Sequence, residues 1–166
     1  MNNDSLDLDA VLLAYSDMVY KIALARTGNK NDADDIFQEV FLRLVKHSDK
    51  ISTEEHLKSW LIRVTINCCK NHFRAWRNNT VSLSDLNAEP TVEFTHDESD
   101  IYQAVLQLPA KYRDVIHLFY YEELSIKEIS AILKRKETTV KSQLSRGRDK
   151  LKDIIKEDPA AENKNT

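Results

Sequence analysis

Residues 124–151, with the sequence LSIKEISAILKRKETTVKSQLSRGRDKL, form the most informative segment of this chain. Ser125 and Glu128 have the Ser-x-x-Glu spacing of a capping box, in which a hydroxyl and a carboxylate each satisfy a backbone amide at the start of a helix. The apolar residues that follow recur at helical spacing: Ile129, Ile132 and Leu133. The pattern predicts a short helix that ends near Lys134–Lys136.

A second helix is predicted after this turn, because Val140, Leu144 and Leu151 form another inward stripe. A helix-turn-helix whose second helix carries donors and cations is typical of proteins that enter the DNA major groove. The same pattern also fits a solvated helical hairpin, because short helix-turn-helix patterns occur by chance. The donors and cations of the second helix are Thr138, Thr139, Lys141, Ser142, Gln143, Ser145, Arg146 and Arg148.

The composition of the chain indicates an all-α protein. It has 166 residues with only two Gly and three Pro, and helix-forming residues dominate. No segment reaches the roughly 20 apolar residues of a membrane span, and the acidic N-terminus lacks the features of a signal peptide. We therefore expect a cytoplasmic protein without membrane insertion.

The only cysteines, Cys68 and Cys69, are adjacent. Neighbouring cysteines are poorly placed for a structural disulfide, and no second pair is present to complete a zinc site. One thiol is expected in the core and the other half-exposed on the same helix. A redox role stays open, because it requires an accessible, electropositive setting.

The charges of the chain are segregated, although the formal net charge is only −3. No Lys or Arg precedes Lys21, and none occurs between Asn78 and Ala110. Phosphate binding responds to local patches rather than to total charge, so two contacts with one nucleic acid are expected. The two basic blocks are Arg63, Lys70, Arg74 and Arg77, and the eight Lys or Arg residues of 134–152.

Apolar periodicity predicts three helices in the N-terminal half. The first covers residues 5–27 and stops at Gly28. The second runs from a cap at Asn31 to about His47 and is followed by a polar loop over 48–55. The third runs from Thr53 or Glu54 to about Trp76. The C-terminal half is expected to bury Ile101, Val105 and Leu108, and then, after Pro109 in the first turn of the next helix, Tyr112, Val115, Ile116, Phe119 and Tyr120.

Residues 79–96 combine polar residues, Pro90 and acids with few apolar residues, which predicts a flexible acidic linker. The expected architecture is therefore two small helical domains joined by this linker. The domains cover residues 5–78 and 97–156, the second containing the helix-turn-helix, and residues 157–166 form a disordered tail.

The chain resembles the RNA polymerase sigma factors, specifically the small extracytoplasmic-function (ECF) group. Residues 31–47, NDADDIFQEVFLRLVKH, look like the helix that docks on a coiled coil of the largest polymerase subunit. Residues 59–77, SWLIRVTINCCKNHFRAWR, look like the helix that melts and reads the −10 element. Residues 108–133, LPAKYRDVIHLFYYEELSIKEISAIL, with 138–151, TTVKSQLSRGRDKL, look like the domain that reads the −35 element.

The resemblance implies a docking face for core RNA polymerase on the second helix: Asp35, Gln38, Glu39 and Leu42. Without a partner, the same residues would form an ordinary solvated acidic face. An enzyme would use Asp35 and Glu39 as a metal or acid–base pair, but no His or further carboxylate stands at ligand spacing beside them.

The third helix is expected to contact the −10 element through a polar, cationic stripe: Arg63, Asn67, Lys70, Asn71 and Arg74. Asn and Arg can hydrogen-bond an extruded base, while Lys and Arg hold phosphates. The base pocket implied by the resemblance involves Asn67 and residues 47–56. Trp60 is expected in the core rather than as a stacking platform.

For the −35 element, the matching positions make Lys141, Ser142, Ser145 and Arg146 base or phosphate readers. Thr138 and Thr139 would donate hydrogen bonds to phosphate from the start of the helix. Arg148 and Lys150 would contact the sugar–phosphate backbone of the DNA. Three positions depart from the family: Lys134 and Thr138 replace glycines, and Gly147 replaces a small Ala. Lys134 should therefore change the turn geometry or adopt a strained positive φ, and Gly147 should loosen the helix by roughly 1 kcal/mol.

The resemblance implies a non-enzymatic sigma factor that requires no cofactor or metal. Its partners would be core RNA polymerase, promoter DNA and an anti-sigma factor. A free-standing helix-turn-helix regulator is the alternative, and it would bind a palindromic operator as a dimer. A nucleic-acid enzyme lacks support, because the sequence has neither a P-loop nor a His-Glu-x-x-His motif.

Overall fold

The computed structural model describes residues 6–79 and 100–157, with side chains described to Ala75 in the first range. Every regular element in these two ranges is helical. They divide into two compact units, one holding the first three helices and the other the remaining four. The predicted linker and tail lie outside the described residues, apart from Asn79 and Glu157 at the ends of two helices.

Helix α1 (Leu8–Thr27) has well-formed ends in the first unit. The Asp7 carboxylate caps its start by accepting a hydrogen bond from the backbone N–H of Ala10 at 3.2 Å. At its end Gly28 adopts φ 66°, and its N–H donates to the carbonyl of Leu24 at 2.8 Å. This left-handed conformation favours glycine, so the predicted stop at Gly28 is confirmed.

Helix α2 (Lys30–His47) begins earlier than the sequence predicted. The cap is Asn29 rather than Asn31: the Asn29 side-chain oxygen accepts from the N–H groups of Asn31 at 2.8 Å and Asp32 at 3.3 Å. Asn29 has the extended backbone that a cap requires, with φ −139° and ψ 128°. Asn31 lies inside the first turn, where its N–H is the group being capped.

Helix α3 (Glu54–Asn79) follows a short 3₁₀ turn over Ser48–Lys50. It packs against both α1 and α2, so the buried part of its circumference is wide. For this reason both Cys68 and Cys69 are buried, and the expectation that one would be half-exposed is wrong. The core of the unit includes Val19, Ala33, Val40, Leu44, Leu61 and Ile62.

The second unit contains α4 (Asp100–Leu106), α5 (Ala110–Ile116), α6 (Ile126–Leu133) and α7 (Glu137–Glu157). Pro109 stands one position outside α5 as its cap residue, rather than in the first turn. Its carbonyl accepts hydrogen bonds from the N–H groups of Tyr112 and Arg113, both at 3.0 Å. Helix α7 packs against α4, α5 and α6 and is the centre of the unit.

A π turn over His117–Tyr121 continues α5 and disturbs the predicted burial pattern. Because a π turn is wider than an α-turn, the side chains within it leave the 3.6-residue period. Tyr120 is 50% exposed and Phe119 half-buried, whereas both were predicted inward. Ile101 is likewise 55% exposed, since α4 turns Tyr102 and Val105 inward instead.

Gly147 lies where α7 crosses α5 closely. A Cβ at this position would stand 3.0 Å from Cγ1 of Ile116 and 3.4 Å from Cβ of Tyr112. The sequence predicted only a looser helix from this glycine. The structure adds a packing reason, because the missing side chain allows the two helices to approach.

Candidate DNA and polymerase interfaces

The predicted capping box is present at the start of α6. The backbone N–H of Glu128 donates to the Ser125 hydroxyl at 3.1 Å, and the N–H of Ser125 donates to a Glu128 carboxylate oxygen at 3.4 Å. Ile129 and Ile132 then face the core. The first helix of the helix-turn-helix is therefore fixed mainly by local interactions.

The turn between α6 and α7 keeps the left-handed geometry without a glycine. Lys134 has φ 55° and ψ 49°, and its N–H donates to the carbonyl of Ser130. The N–H of Arg135 donates to the same carbonyl at 3.1 Å, and the Ser130 hydroxyl donates to the carbonyl of Arg135 at 2.5 Å. The second of the two expected outcomes is thus confirmed: a non-glycine residue accepts a strained positive φ.

Arg135 connects the turn to α5 and α7, a role that sequence reasoning missed. Its guanidinium donates to the Gln143 side-chain oxygen at 2.9 Å and to the Lys111 carbonyl at 3.3 Å, and it lies 3.8 Å from the carboxylate of buried Asp114. Gln143, grouped with the donors of α7, is consequently engaged inside the unit. The one sequence signal was an acid at position 114 directly before the largely apolar stretch that begins at Val115.

The outer side of α7 presents a row of exposed polar and cationic side chains, which we call the recognition face. All seven predicted −35 residues are exposed on it. Ser142 donates its hydroxyl to the carbonyl of Thr138 at 3.0 Å, so its lone pairs remain available as acceptors. The recognition face comprises Thr138, Thr139, Lys141, Ser142, Ser145, Arg146 and Arg148.

Aromatic rings accompany the cations beside α7: Tyr120 is exposed, Phe119 is half-buried and Tyr112 is buried. The ammonium groups of Lys111 and Lys150 lie 5.0 and 5.6 Å from the centroid of the Tyr112 ring. Arg148 lies over Phe119 and Tyr120 and donates to the Tyr120 hydroxyl. Such cation–π contacts hold flexible cationic side chains close to the helix.

The four predicted docking residues on α2 are exposed together, and we call them the docking face: Asp35, Gln38, Glu39 and Leu42. Leu42 is 58% exposed, and Val45, which the prediction omitted, is 54% exposed one turn later. Glu39 accepts a hydrogen bond from Arg43 at 2.8 Å, and this bond raises the pKa of Arg43 above its usual value. The face therefore combines acceptors with an apolar strip.

The predicted −10 residues of α3 form an exposed stripe, except for Arg63. Asn67, Lys70, Asn71 and Arg74 are exposed and Arg63 is half-buried. Residues 47–56, the segment expected to form the base pocket, include the 3₁₀ turn. In the same segment the Thr53 hydroxyl caps α3 by accepting a hydrogen bond from the N–H of His56 at 3.1 Å. Trp60 is half-buried, with its ring centroid 6.2 Å from that of His47.

An open pocket of about 320 Å³ separates the docking face from the α3 stripe. It is lined by Asp35 and Glu39 of the docking face, Asn71 of the stripe, and Ile36, Arg43, Cys68 and His72. Burial raises the pKa of the Cys68 thiol; Arg43 opposes this shift and Glu39 adds to it. The thiol therefore lies in a setting that disfavours the reactive thiolate.

Among the described residues, no further group stands beside Asp35 and Glu39 to complete a metal site. Within residues 6–79 and 100–157, no group of three or more His, Cys, Asp or Glu side chains is arranged to hold a metal ion. No helix in these ranges has the length and apolar character required to cross a membrane.

Comparison with known proteins matches both units to one family. The family model described as "Sigma-70 region 2" matches residues 11–78, and "Sigma-70, region 4" matches residues 98–151. The ECF RNA polymerase sigma factor SigW of Bacillus subtilis is 31% identical over 160 residues, which cover 86% of each chain. SigM of the same organism is 30% identical over 156 residues, covering 89% of this chain and 94% of SigM.

Solved structures show the same architecture. The sigma factor RpoE from Bartonella quintana, solved with the anti-sigma factor NepR, gives a TM-score of 0.77 at 25% identity, covering 92% of this chain and 98% of RpoE. CnrH, solved with the cytosolic domain of CnrY, gives a TM-score of 0.65 at 19% identity, covering 91% of this chain and 88% of CnrH, and supports the fold. This chain belongs to the ECF group of the sigma-70 family and is an alternative RNA polymerase sigma factor, a non-enzymatic transcription initiation factor.

Proposed function

We propose that three surfaces divide the work of initiation in this sigma factor. The docking face of α2 binds core RNA polymerase, the α3 stripe contacts the −10 element, and the recognition face of α7 contacts the −35 element. The observation that carries this assignment is the recognition face, where all seven predicted −35 residues are exposed on the second helix of a helix-turn-helix.

The two DNA contacts differ in chemistry. At the −35 element, hydroxyls and Arg146 meet base edges and phosphates of duplex DNA in the major groove. At the −10 element, Asn67 and Asn71 supply amides for an extruded base, while Lys70 and Arg74 hold phosphates. Extruding a base costs about a few kcal/mol, so this site favours bases that recover the cost through their contacts.

Docking on polymerase explains how a chain with a net charge of −3 binds DNA. Each cationic patch is small, and the polymerase supplies the remaining affinity by holding both patches on one promoter. Linked contacts strengthen each other through a raised effective concentration. A free-standing regulator would need neither the docking face nor the α3 stripe. The protein would act in the cytoplasm, where the polymerase and promoter DNA are found.

An anti-sigma factor is the proposed inhibitory partner. The support comes from RpoE of Bartonella quintana, which is 25% identical to this chain and was solved bound to such a partner. A partner that covers the docking face would compete with polymerase. Adding it should therefore release this protein from core polymerase as well as from promoter DNA.

The docking assignment is tested by Leu42→Asp. Leu42 is 58% exposed on the docking face, and a charge there would oppose an apolar contact, so we expect binding to purified core polymerase to weaken at least about tenfold. The matched control is Leu13→Asp, because Leu13 is 88% exposed on α1 outside the docking face. Equal loss in both variants, or none in Leu42→Asp, contradicts the assignment.

A further inference from the structure

The π turn places an aromatic pair beside α7. The ring centroids of Phe119 and Tyr120 are 5.0 Å apart at an interplanar angle of 80°, an edge-to-face arrangement. Tyr120 is nevertheless 50% exposed, so burial in the core does not explain its position. Its neighbour in space is Arg148 of α7.

Arg148 is held by this pair in two ways. Its Nε–H donates to the Tyr120 hydroxyl, and its guanidinium carbon lies 5.5 Å from the Tyr120 ring centroid and 5.8 Å from that of Phe119. Both distances fall within the range of cation–π attraction. An exposed arginine that would otherwise sample many rotamers is therefore fixed in one place.

The guanidinium keeps one edge for another ligand. Arg148 makes no other hydrogen bond or ion pair with residues 6–79 and 100–157. Nε is engaged, and the two Nη groups retain four N–H donors. Their outer edge offers parallel donors in the geometry that two phosphate oxygens accept together.

The position of Arg148 on α7 favours a phosphate over a base. Ser142 lies in the middle of the recognition face. At about 100° per residue, Arg148 is roughly 120° around the helix from Ser142. It stands at the edge of that face, toward α5. When a helix enters the major groove, residues at its edges approach the sugar–phosphate backbone that borders the groove.

We propose that Tyr120 and Phe119 are positioning residues that hold the Arg148 guanidinium for a phosphate of the −35 DNA. The π turn and α7 then form one preorganised phosphate clamp. Prior ordering reduces the side-chain entropy lost on binding, which is large for arginine. This inference rests on the proposed −35 role of α7 and adds two residues from outside the helix-turn-helix.

Holoenzyme, formed from the full chain and core polymerase, is titrated with promoter DNA over a series of salt concentrations. Tyr120→Phe removes the hydroxyl and keeps the ring, and should weaken binding about three- to tenfold. Arg148→Ala should weaken binding and reduce the slope of log K against log salt by about 0.9, the value for one phosphate. Adding Tyr120→Phe to Arg148→Ala should have no further effect.

Tyr121→Phe is the matched control, because Tyr121 lies on the same π turn but its ring packs against Tyr102 of α4 and His117. The DNA affinity of this variant should not change. If Tyr120→Phe weakens binding equally with and without Arg148, Tyr120 acts independently and the positioning role is wrong. If Tyr120→Phe and Arg148→Ala only lower the unfolding temperature, Arg148 is a structural brace. Arg146→Ala distinguishes the two proposals. If Arg146→Ala does not change promoter affinity, the −35 role of α7 is overturned. If Arg146→Ala weakens binding but Tyr120→Phe and Arg148→Ala do not, only the clamp is overturned.

Discussion

Arg135 and Arg146 belong to the same helix-turn-helix but use their guanidinium groups differently. Arg135 is directed inward to Gln143, the Lys111 carbonyl and Asp114. Arg146 is exposed on the recognition face. One residue therefore holds the motif together and the other is available to DNA, so their removal should have separable effects on stability and binding.

Arg146→Ala should weaken promoter binding without changing the free energy of unfolding. If Arg146 reads a guanine, the loss is about 1–3 kcal/mol and disappears on templates that lack that base. If it holds a phosphate, the loss is the same on every template. Binding to promoters with single −35 substitutions measures this. Equal loss on all templates rejects base reading.

Arg135→Ala should behave in the opposite way. It removes two hydrogen bonds and the ion pair with buried Asp114, so the free energy of unfolding should fall by about 1–3 kcal/mol. Urea unfolding followed by circular dichroism measures the change. A variant as stable as the parent would show that the Arg135 contacts contribute nothing net.

Lys134→Gly should stabilise the protein. A non-glycine residue at φ 55° carries a strain of about 1–2 kcal/mol, and glycine removes it while losing more backbone entropy on folding, leaving a net gain of up to about 1 kcal/mol. Ala131→Gly is the matched control, since Ala131 is exposed in the interior of α6, where glycine costs about 1 kcal/mol. Urea midpoints that shift in the same direction for both variants contradict this prediction.

At the scale of the elements, α3 joins the docking face to the −10 stripe through the pocket that contains Cys68. Burial raises the pKa of this thiol, so its neutral form is favoured in the folded state. The corresponding stability is fully present below the unfolded pKa of about 8.5 and is lost as pH rises through the higher folded value. The raised pKa of the Cys68 thiol opposes a redox role at neutral pH.

Alkylation by iodoacetamide tests the state of Cys68 and Cys69. In the folded protein, modification at pH 7 should be slow, because both side chains are buried and the raised pKa of Cys68 leaves little of its nucleophilic thiolate. In urea both thiols should react at the rate of a free peptide thiol. Rapid modification of either cysteine in the folded protein at pH 7 would contradict this result.

Elements whose structure is determined locally could be predicted from the sequence. The capping box at Ser125, the stop at Gly28 and the apolar stripes all depend on neighbours in the chain. The exposure of the docking and recognition faces followed from the same periodicity. These features account for most of the candidate site.

The remaining features depend on tertiary contacts. The π turn shifts Tyr120 outward, and no local signal marks where an α-helix widens by one residue. The partnership of Arg135 with Asp114 links residues from different helices. Cys69 is buried because α3 contacts two helices, whereas its sequence pattern suggested one buried side.

At the scale of the whole molecule, two small helical units share one task. Each of them is too small to bury a large core, and each presents one modest cationic surface. Under the proposed three-surface assignment, the polymerase brings both surfaces onto one promoter. Promoter recognition should therefore require the docking face as strictly as it requires either DNA contact.

In vitro transcription with purified core polymerase tests the three-surface assignment most directly. We predict defined run-off products from promoter-bearing fragments that require this protein and are lost with Leu42→Asp, with Arg146→Ala, or with Asn67→Ala and Arg74→Ala combined. Each variant should remain folded, because all four residues are exposed. Tight binding of the protein alone to DNA, with no transcripts from any template, would contradict the assignment and favour a free-standing regulator.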